Sequence, residues 1–164
     1  MKKLGWILYG LSFLFLTIKL INICLHQYEL FEVAYSLNEF SFDLMLGLFV
    51  KRGFFIEPIL ITISIIGLLL RKRIGFIIAL IFSYYIMTNM LLNLTPFNLY
   101  YTTTDIAQLI FALMVLAPLH YKETFYIFRF KWTYKRILIS NLIALSIGFA
   151  TNILYQLTIN SFVN

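Results

Sequence analysis

The chain has 164 residues, of which 62% are hydrophobic and 12% charged. Soluble domains average about 45–50% apolar and about 25% charged, so this chain has too few charges to cover a water-exposed surface. The net charge of +6, from thirteen Lys and Arg against seven Asp and Glu, reads as a topology signal in short loops rather than as a nucleic-acid footprint.

A hydrocarbon core is about 30 Å thick and a helix rises about 1.5 Å per residue, so one crossing takes roughly 17–25 apolar residues. Five stretches qualify. They predict an all-α integral membrane protein, a single transmembrane domain over 1–164. The first span covers about 4–25 and is interrupted only by Lys19 and Asn22. Its start, Met1-Lys2-Lys3 before an apolar run, resembles a signal peptide. The run is too long for such a segment and no Ala-x-Ala site follows, so an uncleaved first helix is expected. Cys24 is the single cysteine, which excludes an internal disulfide. Ile23 before it is too large for a lipoprotein cleavage site.

The longest connection follows, from His26 to Gly53. Its part 37–50 is apolar but short for a crossing, which suits an interfacial or re-entrant segment. The second span covers about 54–70, with Glu57-Pro58 near its start. Arg71-Lys72-Arg73 then forces the third span, about 74–92, to run antiparallel beside the second. The fourth covers about 103–119 and carries Asp105 and Gln108 in its first turns. The fifth covers about 137–157.

The charges between spans set the orientation. Lys2, Lys3, Arg71, Lys72, Arg73, Lys122, Arg129, Lys131, Lys135 and Arg136 all fall on one side. Basic residues mark the cytoplasmic side, so the N-terminus is expected inside and the C-terminus outside. Glu29, Glu32, Glu39, Asp43 and Asp105 fall on the opposite side, with Lys51 and Arg52.

Ionisable groups within a span are costly and so become functional candidates. Lys19 and Glu57 are the two here, at depths that differ by about 5 Å. Asn22, Asn89, Asp105, Gln108, Asn152 and Gln156 reach the same outer level, with Thr88 and Tyr155 beside them. Together they form a candidate outer polar cluster, while the inner halves look plainer apart from Ser140 and Asn141. A simpler account competes. Lys19 can snorkel to headgroups, Glu57-Pro58 can open a helix, and the amides can cross-link neighbouring helices.

On the inner side, Phe128-Arg129-Phe130-Lys131-Trp132-Thr133-Tyr134-Lys135 alternates aromatic and basic residues. Arg129, Lys131, Trp132, Lys135 and Arg136 are read as a cytoplasmic interfacial anchor: rings at headgroup depth, cations on anionic lipid. His26 and His120 lie on opposite sides of the membrane and are each read as interfacial. No Ser-His-Asp set, phosphate loop, paired intramembrane aspartates or HExxH motif occurs. No catalytic residue, metal or cofactor is therefore expected.

Three function classes follow. A non-enzymatic membrane subunit, of the accessory, immunity or defence type, acting through helix–helix contacts, fits best. A small oligomeric transporter or channel using the outer polar cluster is the second. An intramembrane enzyme acting on lipid or quinone is the third. The expected partners are the bilayer and either further copies of the chain or another membrane protein, not nucleic acid. The expected location is a membrane crossed several times, of the bacterial inner-membrane type.

Overall fold

The computed structural model describes residues 2–36, 56–93, 103–129 and 133–163. Every regular element among them is helical: α1 (Lys2–Ser36), α2 (Ile56–Leu70), α3 (Arg73–Asn93), α4 (Thr103–Leu119), α5 (Lys122–Phe125) and α6 (Tyr134–Val163). The predicted interfacial or re-entrant segment 37–50 lies outside the described residues.

A helix occupies each of the five predicted stretches, but their lengths divide. Helices α1, α3 and α6 are long and apolar enough to cross a membrane. Helices α2 and α4, with 15 and 17 residues, rise only about 22 and 25 Å. Helix α1 continues past Leu25 because nothing from His26 to Ser36 breaks it: no Gly or Pro intervenes. His26 also faces Glu29 at 3.8 Å one turn on, an exposed pair of small effect.

Helix α2 opens on Glu57-Pro58, an acid and a proline in the first turn, where orphan N–H groups favour the acid and no N–H is missed at Pro. It closes on Arg71, whose N–H donates to the Leu68 carbonyl at 3.3 Å; the Lys72 carbonyl then accepts from Phe76 as α3 begins. This turn needs the backbones of α2 and α3 almost in contact. A Cβ on Gly75 would meet the Gly67 carbonyl oxygen, and one on Gly67 would lie 2.7 Å from the Ala79 nitrogen. Small residues allow such approach where no side chain fits between helices.

Helix α3 is the centre of the bundle. It packs against α2, α4 and α6, while α1 packs against α2, α4 and α5. Helices α1 to α4 therefore form a ring, and among the described helices α6 lies outside it, against α3. The N-terminal ends of α1, α3 and α6 share one end with the C-terminal ends of α2 and α4. Gly5 abuts the Glu123 backbone, the Tyr9 hydroxyl donates to the Leu68 carbonyl at 2.9 Å, and Arg73 reaches Ser140. Arg71, Lys72, Arg73, Lys122, Arg129, Lys135 and Arg136 gather there, which makes it the basic end.

Short α5 and the turn after it close this end from within. Phe125 and Phe128 are buried against Phe76, with ring centroids 5.0 and 5.4 Å away, and Tyr9 meets Phe128 edge-on at 6.1 Å. Offset and edge-on rings are the favoured aromatic geometries. The segment is pinned by the Thr124 hydroxyl, which donates at 2.8 Å to the Pro118 carbonyl at the end of α4. That carbonyl is one of the four that a helix end leaves unpaired.

Candidate functional site

The residues of the predicted outer polar cluster do not form one group. Lys19 and Asn22 belong to α1, whose backbone neighbours neither α3 nor α6. Lys19 is half-buried and Asn22 is exposed. Lys19 lies ten residues beyond Tyr9, and Pro58 ten residues before Leu68. The antiparallel Tyr9–Leu68 contact thus puts Lys19 and Glu57 within about 1.5 Å of one level. They nevertheless make no ion pair with each other. Glu57, half-buried at the start of α2, instead comes within electrostatic range of the Tyr85 and Tyr155 hydroxyls.

Asn152 of α6 is fully buried against α3. Its amide donates to the Tyr85 carbonyl at 2.8 Å and to the Thr88 hydroxyl at 2.6 Å. Among the described residues its side-chain oxygen and the Ser83 hydroxyl are buried without a hydrogen-bond partner. Asn89, Gln108 and Gln156 are half-buried on α3, α4 and α6. Asp105 falls in the first turn of α4; its side chain lies outside the described residues. Of the predicted anchor, Arg129, Lys135 and Arg136 are exposed at the basic end, and Lys131 and Trp132 lie outside the described residues.

The most connected polar group lies in the half that looked plain. The Tyr84 hydroxyl donates to the Asn141 side-chain oxygen at 2.7 Å, and His120 Nε2 lies 2.8 Å from the same oxygen. The Asn141 amide donates to the Ile137 carbonyl at 3.1 Å, which orients the group. His120 Nδ1 sits 2.8 Å from the Leu116 carbonyl, so each ring nitrogen faces an oxygen that can only accept, and a neutral ring donates to one of the two. One asparagine thus joins its own α6 to α3, through Tyr84, and to His120 in the turn that follows α4. His120 is accordingly not the solitary interfacial residue expected; it is half-buried, its ring edge-on to Phe76 at 5.7 Å.

A signal for this group was present in the chain. Asn141 lies seven residues into α6 and Tyr84 eleven into α3, about 6 Å deeper. Helical side chains lean toward the N-terminus, so a tyrosine ring spans that difference. The pairing of α3 with α6, which lie far apart in sequence, was not readable.

Other hydroxyls also serve as ties between helices. Ser12 of α1 donates to the Val115 carbonyl of α4 at 3.2 Å. Ser64 of α2 donates to the Ile78 carbonyl of α3 at 3.2 Å and accepts from the Phe82 N–H at 3.4 Å. Among the described residues no three His, Cys, Asp or Glu side chains come together as metal ligands. No family model, curated protein or solved structure matches the chain. Three helices fit a membrane, and the described residues are helical throughout their regular structure.

Proposed function

We propose that the chain is a non-enzymatic membrane subunit that works by packing its helices against those of further copies or of another membrane protein. One observation carries the reading: among the described residues α6 packs on α3, and its other side holds a small-residue pair. Ser146 and Ala150 are four residues apart and both exposed, flanked by exposed Leu142, Ile143, Ile147 and Leu154. Small residues at i, i+4 let two membrane helices approach closely, and the polar hydroxyl can cross-link them. The hydrogen bonds of Tyr84, Asn141, His120 and Asn152 add support, because they are spent on joining helices.

The accompanying topology has five crossings, with the basic end in the cytoplasm. Its support is the gathering of Arg71, Lys72, Arg73, Lys122, Arg129, Lys135 and Arg136 at that end. Short α2 and α4 then cross where neighbours thin the bilayer or flanking residues complete the span. Reporter fusions are expected to read cytoplasmic after Arg73 and Lys135, and external after Asn98 and Asn164. A cytoplasmic signal after Asn164 removes α4 or α6 as a crossing.

Cross-linking in native membranes, followed by sizing in mild detergent, tests the subunit reading. The expected species is an oligomer or a heteromeric complex that Ser146→Leu and Ala150→Leu disperse without lowering the melting temperature. A monodisperse monomer that converts a lipid or quinone, and stops doing so in Glu57→Gln, overturns it. The oxygen of Asn152 and hydroxyl of Ser83, unpartnered among the described residues, favour a second reading, a small oligomeric transporter or channel. Ion flux in liposomes that Asn152→Leu abolishes would promote it.

A further inference from the structure

A cleft of about 400 Å³ opens at the basic end, between α1, the α2–α3 turn and the turn after α5. It is lined by Trp6, Arg71, Glu123, Tyr126, Ile127 and Arg129. Among the described residues, two that are not glycine have positive φ: Arg71 at 46° and Arg129 at 54°. Both line this cleft.

The left-handed region at a helix end is usually taken by Gly or Asn, because Cβ crowds the following carbonyl in other residues. Arg71 and Arg129 each close a helical turn, donating to the Leu68 and Tyr126 carbonyls at 3.3 and 3.2 Å. Glycine would close either turn with less strain, so the turns do not account for the arginines. Strained residues of this kind gather at functional sites. What the two share is the cleft that their side chains border.

The cleft has the chemistry for a phosphate. A guanidinium is a planar fork of N–H donors matched to phosphate oxygens. The Arg71 guanidinium is stacked over the Trp6 ring, 5.0 Å from its centroid, which holds it at the rim. Neither arginine is ion-paired with Glu123, whose carboxylate completes a site with two positive charges and one negative. Trp6, near the start of α1, and Tyr126, in the turn after α5, are exposed rings at the basic end, and such rings suit the depth of lipid headgroups.

We propose that this cleft binds the headgroup of an ethanolamine phospholipid, its phosphodiester on Arg71 and Arg129 and its ammonium on Glu123. A glycerol headgroup offers the carboxylate hydroxyl donors but no positive charge, and a choline headgroup has no N–H to donate to it. The inference rests on the membrane placement alone and holds whether or not the chain is a subunit.

Native mass spectrometry from micelles holding equal phosphatidylethanolamine, phosphatidylglycerol and phosphatidylcholine tests it. The full chain is expected to retain phosphatidylethanolamine above the other two. Arg129→Gly is expected to melt at the same temperature or higher, because it relieves the strained turn, yet to retain about five-fold less lipid. Glu123→Gln is expected to keep lipid and lose the preference among headgroups. Equal retention of the three lipids by the unaltered chain, or undiminished retention by Arg129→Gly, overturns the proposal. So does soluble phosphoethanolamine that protects the fold as well as the lipid does, since the site would then serve a free solute. The same spectra report the oligomeric state, so failure here is separate from failure of the subunit reading.

Discussion

Helices α3 and α6 are near equals in mean hydropathy over their apolar segments, yet they live in different surroundings. Over their apolar windows 56% of α3 is buried in the protein, against 22% of α6. Among the described helices α3 packs against α2, α4 and α6, and α6 against α3. In water such a difference would show in the sequence, because an exposed face must be polar. In lipid it does not, since Leu is as well solvated by acyl chains as by protein, and apolarity ceases to report burial. What distinguishes the two helices is where glycine, small polar residues and aromatic rings fall.

Four perturbations test that distinction, beginning with the largest expected effect. Phe76 is fully buried among Phe125, Phe128 and His120 at the base of α3. Phe76→Ala should destabilise the fold by about 3 kcal/mol, because the surrounding rings lose their contacts and collapse only in part. Steric trapping in bicelles measures it. A loss under about 1 kcal/mol would mean that α3 is not the centre of the bundle.

Gly75→Ala is next, at about 1–3 kcal/mol, since the added methyl group meets the Gly67 carbonyl and must separate α2 from α3. Gly10 is the control. A Cβ there meets nothing within 4 Å, and Gly10→Ala should leave stability unchanged or slightly raised by better helix propensity. Thermal melts in one detergent suffice for both, and equal shifts would contradict the close crossing.

Half-buried Asn141 and buried Asn152 of α6 should differ from each other. Asn141→Leu removes the joint of α6 to α3 and to the turn after α4 and leaves Tyr84 and His120 without their shared acceptor, a loss of about 1–2 kcal/mol. Asn152→Leu also breaks two bonds but relieves a buried oxygen that has none among the described residues, so its loss should be under about 1 kcal/mol. Chemical-shift or fluorescence-monitored unfolding of the two variants side by side ranks them. The reverse order would mean that the Asn152 oxygen is satisfied in the assembled protein.

The smallest effect is expected on the open side of α6. Leu154 is 64% exposed, and Leu154→Ala should change stability by less than about 0.5 kcal/mol. The same substitution on the α3 side of the pair would not be silent. A marked loss at Leu154 would show that a further helix covers this face, and would strengthen the proposed assembly.

Much of this architecture was legible before any coordinates. Long apolar runs, the basic turn Arg71-Lys72-Arg73 and the Glu57-Pro58 start each have a local physical cause, and helices occupy all five stretches. Helix ends were less legible. Helices α1 and α6 run well past the apolar limits, because a helix stops where Gly, Pro or a competing hydrogen bond stops it, not where hydropathy falls. The candidate site was legible only as a set of types and depths. Depth along a helix is additive at a fixed rise per residue, which put Lys19 and Glu57 about 5 Å apart; the Tyr9–Leu68 contact brings them to within about 1.5 Å of one level. Which faces meet was not: the amides at the outer level divide between α1 and the α3–α6 pair.

By itself, then, the sequence determined which helices are apolar enough to cross a membrane, the helical content and which residues lie at the basic end. These are properties of segments, set by composition, helix rise and loop charge. Tertiary structure decided that α3 is central and α6 peripheral, that Asn141 rather than Lys19 and Glu57 is the polar hub, and that Arg71 and Arg129 border one cleft. The physical reason is that side-chain meetings between distant segments depend on how helices are rotated about their axes. In an apolar solvent that rotation is set by close packing and a few hydrogen bonds, not by a hydrophobic stripe that could be read along the chain.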